Sequence, residues 1–279
     1  MEGLVDWGRV GGLVVKGLSI EPIAGNPPPR ICETHGGMVN SIGLQNIGVR
    51  RFAAEKAPKL ALLPTAVFAN VFGYSVEEYA DVVAALEDAP GLVGYELNVS
   101  CPNTKHGGMF FSSDPGLLAE VVSAAKRRAR RPVIVKLSPN VARIEPLAKA
   151  AEDAGADAIS LVNTFLALTV DARARHPRIG AGFGGLSGPA IKPIALRLVY
   201  EAGQAVRIPI IGLGGICTGV DAAEFMVAGA TAVQVGTASF WDPGATARIA
   251  SELACFLLEE GIERVASLTG TLQFGDSRQ

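Results

Sequence analysis

Two phrases in this chain follow one pattern: Glu152-Asp153-Ala154-Gly155-Ala156-Asp157-Ala158 and Met226-Val227-Ala228-Gly229-Ala230-Thr231-Ala232. Each reads as a helix end, a glycine stop and entry into the next strand. Short β-branched runs alternate with longer amphipathic stretches along the rest of the sequence, so the strands run parallel with helices covering them. Strands are predicted at Leu13–Lys16, Leu60–Pro64, Val93–Ser100, Val133–Ser138, Ala158–Asn163, Pro209–Gly214 and Ala232–Gly236. Helices are predicted at Ser75–Glu87, Asp114–Arg128, Ile144–Ala154, Pro189–Ala202, Gly219–Val227 and Gly244–Glu260, with Ser75, Asp114 and Gly219 as caps.

The length of 279 residues suits one α/β barrel, a (β/α)8 TIM barrel occupying residues 1–279 as a single domain. Seven strands are one short of closure. Glu2–Val10 resembles the tail of a helix, so the expectation is that the first strand is missing from this chain and would lie upstream of Met1. The stretch from Gly17 to about Asn46 reads as a long loop over the C-terminal rim, with a rigid Asn26-Pro27-Pro28-Pro29-Arg30 spacer. Asn40-Ser41-Ile42-Gly43-Leu44-Gln45-Asn46 follows it, a candidate anion-binding nest of backbone N–H groups.

Composition excludes several classes. Hydrophobic residues make up 49%, which argues for a large core, and a net charge of −2 argues against a nucleic-acid surface. The basic tract Lys126-Arg127-Arg128-Ala129-Arg130-Arg131 ends a predicted helix, where cations complement the dipole, and is read as solvated structure. Cys32, Cys101, Cys217 and Cys255 lack metal-ligand spacing, so no metal site is expected. No apolar run reaches the roughly 20 residues that span a bilayer, and the N-terminus carries no secretion signal. A cytoplasmic protein without a membrane partner is expected.

Chemistry concentrates where the strands end. Lys16 closes the first strand, Asn98 and Cys101 follow the third, Lys136 the fourth, Asn163 and Thr164 the fifth, Gly214-Gly215 the sixth and Gly236-Thr237 the last. Barrel enzymes hold their reacting groups on this rim. A cysteine thiolate can act as base or nucleophile, and asparagines suit a ring bearing amide groups. Lys136 sits inside the apolar Val133-Ile134-Val135-Lys136-Leu137, where an ammonium is costly unless an anion or electron-rich ligand meets it. Glycines after the last two strands occupy the usual phosphate site of barrels. With two rim lysines they favour a phosphorylated cofactor. Ser100 is expected to face away from the cysteine or to support its loop.

Four motifs in order, Asn40-Ser41-Ile42-Gly43-Leu44-Gln45-Asn46, Asn98-Val99-Ser100-Cys101-Pro102-Asn103, Val135-Lys136-Leu137-Ser138-Pro139-Asn140 and Gly184-Gly185-Leu186-Ser187-Gly188-Pro189-Ala190, resemble the catalytic subunit of class 1 dihydroorotate dehydrogenases. Thr104-Lys105-His106-Gly107-Gly108-Met109 resembles the NAD-linked class 1B branch. The resemblance implies a flavoprotein of pyrimidine biosynthesis that oxidises dihydroorotate to orotate with FMN. Cys101, on a catalytic loop over residues 101–113, would take a proton from C5 while the hydride from C6 passes to FMN. Asn40, Ser41, Ile42, Gly43, Leu44, Asn98, Asn163 and Thr164 would hold the substrate. Lys16, Gly17, Asn70, Asn98, Lys136, Val162, Gly188, Gly214, Gly215, Gly236 and Thr237 would contact FMN. The implied assembly is a homodimer, or a heterotetramer with an FAD and iron–sulfur subunit that passes electrons to NAD. Competing readings are an FMN barrel of the dihydropyrimidine dehydrogenase type and a truncated, non-catalytic remnant.

Overall fold

The computed structural model describes residues 5–100, 102–103 and 109–275. Its strands are β1 (Gly12–Val14), β2 (Ile31–Thr34), β3 (Gly37–Asn40), β4 (Ala66–Val71), β5 (Leu92–Asn98), β6 (Pro102–Asn103), β7 (Met109–Phe110), β8 (Val133–Lys136), β9 (Ala158–Leu161), β10 (Phe165–Leu168), β11 (Val170–Asp171), β12 (His176–Pro177), β13 (Phe183–Ser187), β14 (Ile210–Leu213) and β15 (Ala232–Gln234). The helices are α1 (Val49–Glu55), α2 (Ala57–Leu60), α3 (Val76–Leu86), α4 (Pro115–Arg128), α5 (Glu145–Asp153), α6 (Lys192–Ala205), α7 (Gly219–Val227), α8 (Ala238–Trp241) and α9 (Ala245–Glu259).

Seven strands form one parallel sheet in the order β1-β4-β5-β8-β9-β14-β15. The sheet curls: its two edge strands, β1 and β15, line a common cavity of about 610 Å³ together with Trp7 and Val10. The fold is α/β with seven parallel strands among the described residues. Val67, Leu97, Val133, Val135, Ile159 and Leu161 are fully buried on these strands and pack with Val83, Leu86, Leu118, Val121 and Val199 from the helices.

The repeated glycine phrase does what its sequence implies. Gly155 (φ 93°) and Gly229 (φ 126°) adopt the left-handed conformations that end a helix. In both, the next N–H reaches back to an orphan carbonyl, Ala156 to Ala151 and Ala230 to Phe225. The side chain of Ser75 accepts from the Glu78 N–H, and that of Asp114 from the Leu117 N–H. For α7 the cap is Thr218 rather than Gly219, because glycine has no side chain to form the reciprocal pair with Asp221 that the Thr218 hydroxyl makes.

Other expectations give way. Leu60–Pro64 is not a strand; α2 and a turn occupy it, and the second strand is Ala66–Val71. Within the described part of Glu2–Val10 there is one short 3-10 turn, Trp7–Arg9, instead of a helix tail. The segment read as a loop from Gly17 contains the β2–β3 hairpin. That hairpin joins β13 and β10 in a four-stranded antiparallel sheet, order β10-β13-β3-β2, over the strand ends. The basic tract is only partly solvated. Arg131 donates to the Leu86 and Ala89 carbonyls and to Tyr95 Oη, and Arg130 binds Glu87 and Asp88. Among the described residues no helix is long and apolar enough to cross a membrane.

Candidate functional site

The polar residues at the strand ends converge. A cavity of about 300 Å³ is lined by Lys16, Asn40, Ile42, Lys136, Val162, Asn163, Thr164, Gly188, Gly214, Gly215, Gly236 and Thr237. The cavity between β1 and β15 adjoins it, sharing Lys16, Lys136, Asn163, Gln234 and Gly236, and adds Gly17, Asn70 and Asn98. Ser41, Gly43 and Leu44 do not line either cavity. Ser41 Oγ accepts from Asn26 Nδ2 at 2.7 Å and its N–H donates to the Arg30 carbonyl, so both groups are spent holding the loop. Gly43 (φ 74°) and Leu44 (φ 56°) give that loop two consecutive left-handed residues. Cys101 lies outside the described residues, as do His106 and the rest of Thr104–Gly108; β6 and β7 pair on either side of that segment.

The carboxamides form one cluster. Asn163 Nδ2 donates to Asn98 Oδ1 at 3.1 Å and to Ser100 Oγ at 2.9 Å, and Asn163 Oδ1 accepts from the Thr164 N–H at 2.8 Å. Ser100 lies in the turn past the end of β5 at Asn98, and its Oγ accepts from Asn163 there. Asn140 steadies the far side, donating to the Thr164 carbonyl at 2.9 Å and accepting from the Leu166 N–H at 2.8 Å. Asn40 Nδ2 reaches the Gly185 carbonyl at 3.4 Å across the antiparallel sheet.

Lys136 is met by a residue that sequence reasoning missed. Glu96 is fully buried, and its Oε1 lies 3.6 Å from Lys136 Nζ. Oε1 also accepts from Asn70 Nδ2 at 2.7 Å, while Oε2 accepts from Ser160 Oγ and Gln234 Nε2, each at 2.9 Å. Burial alone would push its carboxyl up. The Lys136 charge and the three donors outweigh that and hold it below the usual carboxylate range. The Lys16 ammonium is pushed down from its usual value, first by burial and then by Lys136. An acidic residue inside the apolar run Val93-Gly94-Tyr95-Glu96-Leu97 was the available signal, the same one that singled out Lys136.

The glycines suit a phosphate. Gly188 (φ 103°), Gly214 (φ 136°) and Gly215 (φ 83°) take conformations closed to most side chains. A Cβ on Gly215 would stand 2.8 Å from the Gly188 carbonyl oxygen. The N–H groups of Gly214, Gly215, Gly236 and Thr237 find no acceptor among the described residues, although all four line the cavity. An anion that accepts several backbone hydrogen bonds beside two ammonium groups fits this cradle. Asn70 leaves its carbonyl oxygen against Gly17, where a Cβ would stand 2.9 Å away. Cys217 also lines the cavity, but burial, then Asp221, pushes its thiol up, which disfavours a thiolate there.

The profile of the family described as Dihydroorotate dehydrogenase matches residues 1–257. A Solibacter usitatus (strain Ellin6076) protein provisionally named dihydroorotate dehydrogenase A (fumarate) is 70% identical over 98% of this chain and 90% of its own. Two proteins named dihydroorotate dehydrogenase B (NAD(+)), catalytic subunit, are also similar. The Geobacter sp. (strain M21) protein is 52% identical over 96% of this chain and 88% of its own, and the Citrifermentans bemidjiense protein 53% over 95% and 87%. A match of this extent, on a chain whose strand ends carry the cavity just described, means that the protein belongs to the dihydroorotate dehydrogenase family.

Proposed function

We propose that this chain oxidises dihydroorotate to orotate in pyrimidine biosynthesis, using FMN. One observation carries the reading: the cluster of the Asn98 and Asn163 carboxamides with the Ser100 hydroxyl adjoins a glycine and lysine cradle suited to a phosphorylated flavin. FMN, when bound, supplies the two-electron oxidant that takes the hydride from C6 of dihydroorotate.

The remaining steps fall to the chain's own residues. Lys16, Lys136, Gly188, Gly214, Gly215, Gly236 and Thr237 hold the cofactor, the glycines through backbone N–H groups and the lysines through charge, with Gly17, Asn70, Asn98 and Val162 completing its walls. Asn98, Asn163 and Thr164 hold the substrate ring with Asn40 and Ile42, while Ser41, Gly43 and Leu44 shape the loop that presents them. Asn163 is already fixed by Asn98 and Ser100, so little side-chain freedom is lost when substrate binds. Cys101 Sγ, immediately after Ser100 in the chain, takes the proton from C5. A thiol with pKa near 8.5 leaves a minor but usable thiolate fraction at neutral pH.

For the electron acceptor we favour NAD, reached through an FAD and iron–sulfur partner subunit. The catalytic-subunit names of the Geobacter and Citrifermentans relatives support this; the fumarate name of the Solibacter relative supports direct reoxidation instead. Anaerobic addition of dihydroorotate to the purified flavoprotein should bleach the flavin absorbance. Dihydrouracil should not. Reoxidation by fumarate in the absence of a partner would overturn the NAD assignment, and bleaching by dihydrouracil alone would overturn the substrate. Light scattering distinguishes a homodimer from a heterotetramer with the partner.

A further inference from the structure

Glu96 takes no part in the proton and hydride transfers proposed above, yet it accepts three hydrogen bonds and faces one ammonium beside the site. Its four neighbours come from four different strands: Asn70 from β4, Lys136 from β8, Ser160 from β9 and Gln234 from β15. Three of them, Asn70, Lys136 and Gln234, also line the cavities. A carboxylate taken out of water is costly, and it is tolerated only where charge and donors compensate it. Here it is fully compensated. Lys16 adds a second ammonium close enough to act on Lys136. The site therefore holds two positive charges and one buried negative charge.

We propose that Glu96 is a positioning residue for this reaction: it aims Lys136, Asn70 and Gln234 at the cofactor, and its charge, offsetting one of two lysines, sets the reduction potential of bound FMN. The inference rests on the FMN reading above. A reduced flavin carries more negative charge than an oxidised one, so a carboxylate buried beside the lysine that would hold it makes reduction harder. Unopposed, Lys16 and Lys136 would stabilise the reduced cofactor more strongly. Glu96 moderates that pull, which leaves electrons free to move on to the acceptor.

Glu96→Gln tests this with little change of shape. The Ser160 hydroxyl can rotate to accept, and the Gln234 carboxamide can turn over, so the network can re-form around a neutral group. Spectroelectrochemical titration of the FMN-loaded protein should give a potential shifted positive. Reduction should be favoured at least tenfold, a shift of about 30 mV for two electrons. Ser160→Ala keeps the charge but removes one donor, leaving the carboxylate less compensated, so it should shift the potential the other way and by less. A Glu96→Gln protein that holds FMN at the parent potential overturns the proposal and leaves Glu96 a purely structural group. Where Glu96→Gln does not yield folded protein, Ser160→Ala decides: a negative shift supports the proposal, and no shift or a positive one overturns it. Failure of the FMN reading is separate, since the unaltered protein would then bind no flavin at all.

Discussion

Gly185 on β13 lies directly against Thr164: a β-carbon on it would overlap Thr164 Oγ1 and stand 2.6 Å from Thr164 Cβ. Thr164 follows Asn163 in the cavity lining, and on the proposed assignment both meet the substrate while the glycines meet the phosphate. Gly185→Ala should therefore displace Thr164 and lower kcat/KM for dihydroorotate on the order of 10- to 100-fold, with flavin content unchanged. Steady-state kinetics alongside the flavin-to-protein absorbance ratio check this. Parent kinetics would show that Thr164 makes no productive contact.

Cys101→Ser should retain FMN and lose turnover by about 10²- to 10⁴-fold near neutral pH, because a serine hydroxyl stays protonated there and supplies almost none of the anionic base that a thiol does. Activity should rise with pH over a wider range than in the parent. The comparison is a pH–rate profile of both proteins. Equal rates at neutral pH would remove Cys101 from the mechanism.

Gly215→Ala probes the cradle. Its φ of 83° strains any side chain, and the added carbon would stand 2.8 Å from the Gly188 oxygen and 3.0 Å from Lys192 Cβ. A left-handed conformation costs an alanine roughly 1–2 kcal/mol. FMN affinity of the apoprotein, followed by quenching of flavin fluorescence, should fall about tenfold or more. An unchanged affinity would place the phosphate away from the glycines of β14.

A separate carboxylate, Glu87, should contribute to acid stability. Glu87 is buried and accepts from Tyr95 Oη at 2.9 Å, from the Arg130 N–H at 3.1 Å and from Arg130 Nε at 2.8 Å. Burial pushes its carboxyl up, but the bonds from Arg130 and Tyr95 prevail and hold it below the usual range. A depressed folded value means that its contribution is complete above the unfolded value of roughly 4.3 and is lost as pH falls through the folded one. Glu87→Gln should lower stability at pH 7 by about 1–3 kcal/mol and flatten the fall in Tm below about pH 4. Thermal melts between pH 3 and 7 measure both. A parallel fall in parent and variant would leave Glu87 without this role.

The sequence announced its strand ends more clearly than its pairings. Ser75 and Asp114 declared their helices because an N-cap is local chemistry, and the lysines, asparagines and glycines of the cavity stood at boundaries that period and composition reveal. Leu60–Pro64 misled because a run of leucine and alanine fits a helix as well as a strand, whereas the true strand begins six residues later at Ala66. The β2–β3 hairpin was hidden for another reason. The hairpin itself is local, closed across His35-Gly36, but its short strands show no strong alternation of apolar and polar residues, and the partner β13 that completes the sheet is remote in the chain. Glu96 was legible in principle. An acid between Tyr95 and Leu97 is as costly to bury as Lys136 in its apolar strand, so it too needs a compensating partner.

That remote pairing has a consequence for how the molecule comes into being. Asn40 and Gly185 meet across 145 residues, and β3 has no strand on its inner side until β13 arrives. On the ribosome the hairpin must wait, already synthesised, while most of the parallel strands emerge and condense. Closure of the Asn40 side of the cavity is thus a late event of biogenesis, and a nascent polypeptide released before residue 187 would lack the antiparallel cover over its strand ends.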